Sequence, residues 1–376
     1  MLRPASAEDI AKMIRFARAQ GIGIAGQGAV GDSHRVFGQS QVEAGVVIDM
    51  STLSSVGPVD GGSVWVDAGA SWLEVLEATL PHGLGPPTLT DYIGLRVGGT
   101  LSGGGIGGQA FRSGLQVDNV LELEVVTGRG EIVTCSRRER PVLFDTVRAG
   151  LGQLAVIVRA RLRLVPVPPE TRTYLALYDD LRTFTRDQER LIRDGRFDYV
   201  EGQAVPAGGG GWNYLLEAVK YFEPAEPPDD GALTGDLSFL PGTLTTEDRT
   251  YFDFANRLAP LVAFLRQIGV WFLPHPWVDL FVPARHVVPF VDAVLSGETP
   301  ATTGEGPILL YPFRSRRVRA PMMELPNGPI VYLLAILRTT IPPTDPAGQI
   351  ARNRAIYDEL VALGGKRYLV GSLPFS

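Results

Sequence analysis

The sequence predicts an α+β protein of two domains built on antiparallel sheets, and three observations predict it. The first is length: 376 residues exceed what one core usually organises and suffice for two. The second is the turn Gly128-Arg-Gly130 between two β-rich runs, Val120 to Thr127 and Glu131 to Cys135, which reads as a hairpin and hence an antiparallel pair. The third is a change of pattern after Pro166-Val-Pro-Pro169. Beyond it, strands rich in Tyr, Val and Leu alternate with long helical stretches, as in an antiparallel sheet backed by helices. The domains are therefore expected over 1–168 and 169–376.

The first domain opens with a helix. Ser6 is placed to cap it, Asp9 stands at the capping-box position, and Ile10, Met13, Ile14 and Ala17 form one apolar stripe that stops at Gly21. Ile22 to Ala25 and Gly45 to Met50 read as strands separated by a glycine-rich loop containing His34. Ser63 to Asp67 alternates like a strand, after which Ser71 caps a helix with Leu73, Leu76 and Leu80 on one face up to Gly83. After the hairpin, Ala155 to Val165 is the last strand of the unit.

In the second domain the strands are expected at 174–178, 197–205, 212–222, 276–282, 308–312 and 330–337. Helices are expected at 181–193, 246–268, 284–295 and 348–363, and the Pro-, Asp- and Glu-rich run 223–235 reads as a solvated loop.

Bulk properties narrow the function. A net charge of -6 gives no basic face for nucleic acid, so a small-molecule partner fits better. The single cysteine, Cys135, allows neither an intramolecular disulfide nor a cysteine metal site, and the four histidines lack metal-ligand spacing. MLRPASAED is not a basic segment followed by an apolar one, and no apolar run reaches membrane-spanning length; cytoplasmic residence without a membrane partner is the expectation. Only Lys12, Lys220 and Lys366 interrupt an arginine-only basic set, a composition that hints at a GC-rich bacterial gene.

The densest signal is Thr90 to Arg112, TDYIGLRVGGTLSGGGIGGQAFR, where eight glycines crowd behind Asp91-Tyr92. It reads as neither helix nor ordinary strand. Bare amides in such a run suit close approach by something flat or anionic. Gly103 to Gly108 spells G-x-G-x-x-G, but no apolar strand leads into it and no amphipathic helix follows. Gly26 to Gly31 follows a strand and precedes Asp49 by about twenty residues, the spacing of a dinucleotide fold; the residues after it lack the apolar repeat of a crossover helix.

Asp91-Tyr92, Val97-Gly-Gly-Thr-Leu-Ser102, Gly107-Gly-Gln-Ala-Phe-Arg112, Val125-Val-Thr-Gly128, Val133-Thr-Cys-Ser136 and Gly150-Leu-Gly-Gln153 with Val156-Ile-Val-Arg-Ala-Arg161 form an ordered set. Asp198-Tyr-Val-Glu-Gly202, Pro274-His-Pro-Trp277 with Leu280-Phe-Val-Pro283, and Gly306 to Pro312 extend it. In this order they resemble the cytokinin dehydrogenase family, over nearly the whole chain. The resemblance implies a two-part FAD-binding domain of the vanillyl-alcohol-oxidase type over 1–168 and an antiparallel-sheet substrate domain backed by helices over 169–376. That family begins earlier and runs past the position of Ser376, so both termini of its FAD-binding domain are expected to be absent here.

An isoalloxazine ring with a pyrophosphate needs a slot lined by bare backbone. On that ground and by resemblance, Gly26, Gly28, Gly31, Ser33, Gln39, Thr100, Ser102, Gly105, Gly107 and Ile157 are expected to contact FAD. The resemblance also implies that His34, four residues before Gly38-Gln39, bonds covalently to the flavin; here Gly31-Asp-Ser-His34-Arg35 replaces the family's Gly-x-Gly-His-Ser. Asp91 matches the family's catalytic aspartate, Glu201 a glutamate at the purine edge, and Trp277 a pocket wall, while His275 and His286 read as structural.

Oxidation of an amine removes a hydride from carbon and a proton from nitrogen, so a base is required beside the flavin. The expected reaction is FAD-dependent oxidation of an N6-alkenyl adenine at the C–N bond of its alkenyl substituent, giving adenine and an aldehyde. A quinone-like acceptor or oxygen would take the electrons. An alcohol or sugar oxidase on the same fold, and a flavin- or purine-binding protein without turnover, are the alternatives.

Overall fold

The computed structural model describes residues 1–28 and 36–374. Two large sheets organise them. The first has five antiparallel strands in the order Val56–Asp60, Ser63–Asp67, Ala155–Arg163, Val120–Thr127, Ile132–Ser136. Helix Ala7–Gln20 starts at Ser6, whose hydroxyl accepts from Asp9 N–H, and ends at Gly21 in the left-handed region. Helix Trp72–Thr79 has a full capping box between Ser71 and Glu74. Ile24–Gln27 and Val46–Asp49 form a separate parallel pair.

The glycine segment departs from expectation. Val97–Gly103 is an α-helix and Ala110–Ser113 a short one. Packing overrides composition: Val97 and Leu101 are buried, and the Val97 and Gly98 amides donate to the Ala70 and Ala68 carbonyls. A Cβ on Gly98 would lie 2.7 Å from Ala68 Cβ, so the helix can sit this close only with glycine there.

The second sheet has eight antiparallel strands in the order Thr245–Thr250, Glu170–Tyr178, Trp212–Phe222, Tyr199–Pro206, Ile308–Arg314, Ile330–Ile336, Val278–Pro283, Lys366–Arg367. Its period-2 alternation separates two faces. Tyr178, Tyr214, Leu310 and Tyr332 face helix Leu181–Asp194: Phe184 stacks on Tyr214 with centroids 5.5 Å apart, Gln188 Nε2 donates to Leu310 O, and Tyr332 Oη to Thr185 O. The other face holds the row Leu177, Leu215, Gln203, Leu309, Ala335, Asp279, each the register partner of the next. Glu201 and Glu217 stand opposite each other two residues along it.

The run 246–268 is not one helix. Thr245–Thr250 is an edge strand paired with Glu170–Leu175, and its exposed charged residues suit an edge. Helices Tyr251–Ala255 and Ala259–Gln267 follow, with Asn256, Arg257 and Leu258 between them. A short helix, Asp230–Thr234, also lies within the loop expected at 223–235. Among the described residues no helix is long and apolar enough to cross a membrane, and no group of three or more His, Cys, Asp or Glu could hold a metal ion. Cys135 is buried, which pushes its thiol up to about 11 and leaves it unreactive.

Candidate active site

The glycine segment lies against the front face of the large sheet. Gly108 O accepts from Val200 N–H, Gly105 N–H donates to Tyr368 Oη at 2.8 Å, and Gln109 Nε2 donates to Tyr221 Oη. The loop bearing Asp91 is tied to the start of helix Trp72–Thr79, because the Trp72 and Leu73 amides donate to Leu95 O and Ile93 O. These contacts bring Asp91 to the strand that carries Glu201.

There the charged side chains form one cluster. Tyr199 Oη donates to Asp91 Oδ1 at 2.7 Å, and Arg257 Nη2 donates to the same oxygen at 2.9 Å and to Tyr199 Oη at 2.6 Å. Arg257 Nε meets Glu217 Oε1 at 3.1 Å. The guanidinium also lies over the rings of Phe254 and Tyr199, 4.7 and 5.1 Å from their centroids. Glu201 is 3% exposed, and its Oε1 has no hydrogen-bond partner among the described residues.

Arg257 thus sits among the carboxyl groups of Asp91, Glu217 and Glu201. Burial raises Glu201 well above the usual carboxylate range, and the charge of Asp91 raises it further. Burial raises Glu217 too, opposed by Arg257. Burial works against the charge of Arg257, but the anionic neighbours outweigh it and the guanidinium stays ionised. Burial likewise keeps Tyr199 a phenol and therefore a donor. The arrangement sets a carboxylate held by an arginine, Asp91, beside a buried carboxyl, Glu201, that holds its proton more tightly than usual.

Glu201 Oε1 is not alone. Gln116 Oε1 and Nε2, Gln109 Oε1 and Asp279 Oδ2 are also buried without a hydrogen-bond partner among the described residues. Gln116 abuts Gly105, and Asp279 ends the sheet row described above. Burial raises Asp279 well above its ordinary range. Gln188 Oε1 on the helix side of the sheet is orphaned among the described residues as well, but buried polar atoms without partners are costly in a finished interior, and those of Glu201 and Gln109, on the side of the glycine segment, suit a bound polar group.

The residues expected to touch FAD fall into two groups. Gly26 presents open backbone, with no atom of a described residue within 4 Å of where a Cβ would stand, and so does Gly99, which the sequence did not single out. Gly28 packs on the stem of Arg96, which brings it to the start of the helix bearing Thr100 and Ser102. The Thr100 hydroxyl accepts from Trp72 Nε1 and donates to Val97 O, and that of Ser102 donates to Gly98 O. Gln39 is half-buried in the turn after Val36. Gly105 and Gly107 instead meet protein: a Cβ there would stand 2.0 Å from Gln116 Oε1 and from Leu89 O respectively. Ile157 is buried in the core. Gly31, Ser33 and His34 lie outside the described residues.

Open backbone at Gly26 and Gly99 together with the orphaned polar atoms fits a flavin. Trp277 packs beside His275, whose carbonyl accepts from Phe37 N–H. Trp271 meets Tyr92, the neighbour of Asp91, edge-on with centroids 5.1 Å apart. His275 is buried between Trp271 O and Thr339 Oγ1, which suits a structural role.

Sequence reasoning missed Tyr199, Glu217 and Arg257. Tyr199 was within reach, since it stands two residues from Glu201 and so shares its face. Glu217 becomes visible only through strand register, and Arg257 only once the expected long helix is broken.

Two family models match the chain, one described as "FAD binding domain" over residues 1–136 and one as "Cytokinin dehydrogenase 1, FAD and cytokinin binding" over residues 204–371. An uncharacterized oxidoreductase of the fasciation locus of Rhodococcoides fascians is 39% identical over 373 residues, 99% of this chain and 84% of that protein. Cytokinin dehydrogenase 5 of Oryza sativa subsp. japonica is 40% identical over 423 residues, 98% of this chain and 79% of that protein. In architecture the chain is similar to 6-hydroxy-D-nicotine oxidase of Arthrobacter nicotinovorans, with a TM-score of 0.69 at 19% identity over 98% of this chain and 82% of that one.

Proposed function

The chain belongs to the cytokinin dehydrogenase family of FAD-dependent oxidoreductases, with a fold of the vanillyl-alcohol-oxidase type, and from that premise we propose that it oxidises N6-alkenyl adenines at the C–N bond of the alkenyl substituent. The observation that supports this reading best is the meeting of Asp91 and Glu201, far apart in sequence, in one cluster on the sheet face that fronts the glycine segment. FAD, when bound, supplies the hydride acceptor. Asp91, held by Arg257, takes the proton from the substrate's N6 nitrogen. Glu201, buried and neutral, donates a hydrogen bond to an acceptor nitrogen on the purine edge. Loss of a hydride from carbon and a proton from nitrogen leaves an imine, and water then releases adenine and an aldehyde. A quinone-like compound or oxygen removes the electrons afterwards.

The cofactor is assigned to Gly26, Gly28, Gln39, Thr100 and Ser102 together with Gly31 and Ser33, with His34 as the covalent attachment. Gly105, Gly107 and Ile157 support that wall from behind, and Trp277 closes the pocket on the side of Gln39. The chain divides at residue 168 into the unit that holds FAD and the unit that holds substrate.

Anaerobic addition of isopentenyladenine to the purified yellow protein tests the reading. Bleaching of the flavin absorbance is the expected result, with Asp91→Asn slowing it by about 10²-fold or more, the scale of losing a general base. An Asn variant reduced as fast as the parent would remove Asp91 from the role.

A further inference from the structure

Resting on the assignment of Asp91 as the base, we propose that Arg257 is the positioning residue of this site: together with Tyr199 it occupies Asp91 Oδ1, so that Oδ2 is the oxygen that accepts the substrate's proton.

The geometry makes the two carboxylate oxygens unequal. Oδ1 receives Tyr199 Oη at 2.7 Å and Arg257 Nη2 at 2.9 Å. Oδ2 accepts no hydrogen bond from any described residue, and the Asp91 side chain keeps 24% of its surface exposed. A carboxylate with one oxygen saturated by charge-assisted donors has its base lone pairs on the other. In the step itself the N6–H bond breaks and an Oδ2–H bond forms, while the hydride leaves the α-carbon for the flavin and C=N forms.

Arg257 is suited to this because it is itself fixed. Its side chain is 13% exposed, its Nε is spent on Glu217, and its guanidinium lies over both the Phe254 and Tyr199 rings, which meet edge-on with centroids 5.2 Å apart. It arises from the break between helices Tyr251–Ala255 and Ala259–Gln267, on an element separate from the strands of Tyr199, Glu201 and Glu217 and from the loop of Asp91. It thus ties the loop to the sheet. Without it, Asp91 would lose the contact that fixes its Oδ1 to the sheet, and the aim of its carboxylate would change.

The test compares Arg257→Gln, Arg257→Lys, Tyr199→Phe and Asp91→Asn, with Arg354→Gln as a surface control. Flavin content, dithionite reduction and the rate of flavin reduction by isopentenyladenine are followed anaerobically. Arg257→Gln is expected to bind flavin and accept dithionite electrons like the parent, yet to be reduced by substrate about 10²-fold more slowly, the scale of a misaimed group. Arg257→Lys, which keeps a cation and a donor there, should recover part of that loss.

Tyr199→Phe, which leaves Arg257 in place, should lose about tenfold, the lower end for weakening a charge-assisted contact, and serves if Arg257→Gln fails to fold. A parental rate in Arg257→Gln, or in Tyr199→Phe should the former not fold, overturns the proposal. If Asp91→Asn is slow while Arg257→Gln is parental, the base stands and only the positioning role falls; if Asp91→Asn is itself fast, both fall.

Discussion

Gly108 lies so close to Glu201 that a Cβ on the glycine would stand 2.8 Å from Glu201 Cγ, and 2.7 Å from two ring atoms of Tyr199. The contact is made where Gly108 O accepts from Val200 N–H, so the backbone cannot back away without losing a hydrogen bond. Gly108→Ala is therefore expected to displace Glu201 and Tyr199 together. Overpacking of this kind costs about 1–3 kcal/mol, and the expected signature is a raised KM for isopentenyladenine with parental flavin content. Steady-state kinetics beside a flavin-to-protein absorbance ratio measure it; an unchanged KM would separate Gly108 from the recognition of substrate.

Gly99 makes the opposite case. No atom of a described residue lies within 4 Å of its missing Cβ, and it sits inside helix Val97–Gly103. Alanine there should stabilise the flavin-free protein by roughly 0.5–1 kcal/mol through helix propensity alone. If the open side of Gly99 belongs to FAD, the same change lowers the flavin retained after reconstitution. Greater apo stability with lower occupancy is the expected pair of results, and parental occupancy would mean that Gly99 faces solvent.

His34 is the proposed covalent anchor, and its replacement by alanine gives a direct readout. Acid precipitation of the parent should leave the flavin colour in the pellet, whereas His34→Ala should release it to the supernatant while still binding FAD at neutral pH. Colour released from the parent itself would argue against covalent attachment.

These predictions mix what local sequence dictates with what only tertiary contact decides. The capping box at Ser71 and Glu74, the hairpin at Gly128 to Gly130 and the alternation around Glu201 are short-range signals, and the structure has all three. The helix at Val97–Gly103 contradicts its own composition, because its stability comes from seating Gly98 on Ala68. The start of the helix expected over 246–268 is instead part of the strand Thr245–Thr250, because Glu170–Leu175 offers it an edge. Arg257 falls inside that expected helix and is instead the centre of the charge cluster. Asp91 and Glu201 stood out through their motifs; the arginine between them has no motif.

Asp279 gives a prediction about stability instead of turnover. Its carboxyl is buried at the end of the row running from Leu177 to Ala335, Oδ2 has no hydrogen-bond partner among the described residues, and burial raises it well above the aspartate range. A carboxyl raised on folding binds its proton more tightly in the native state than in the unfolded one, so native stability falls as pH climbs above the unfolded value of about 3.9. Asn cannot ionise and does not carry that penalty. Asp279→Asn should therefore match the parent near pH 4 and gain on it as pH rises, by about 1–3 kcal/mol at most, the cost of a buried polar group without a partner. Thermal unfolding of both proteins from pH 4 to pH 8 at constant FAD measures the gap. A difference that stays constant with pH would show that Asp279 is either ionised in the native protein or supplied with a partner by the bound cofactor, and repeating the series on flavin-free protein separates those two cases.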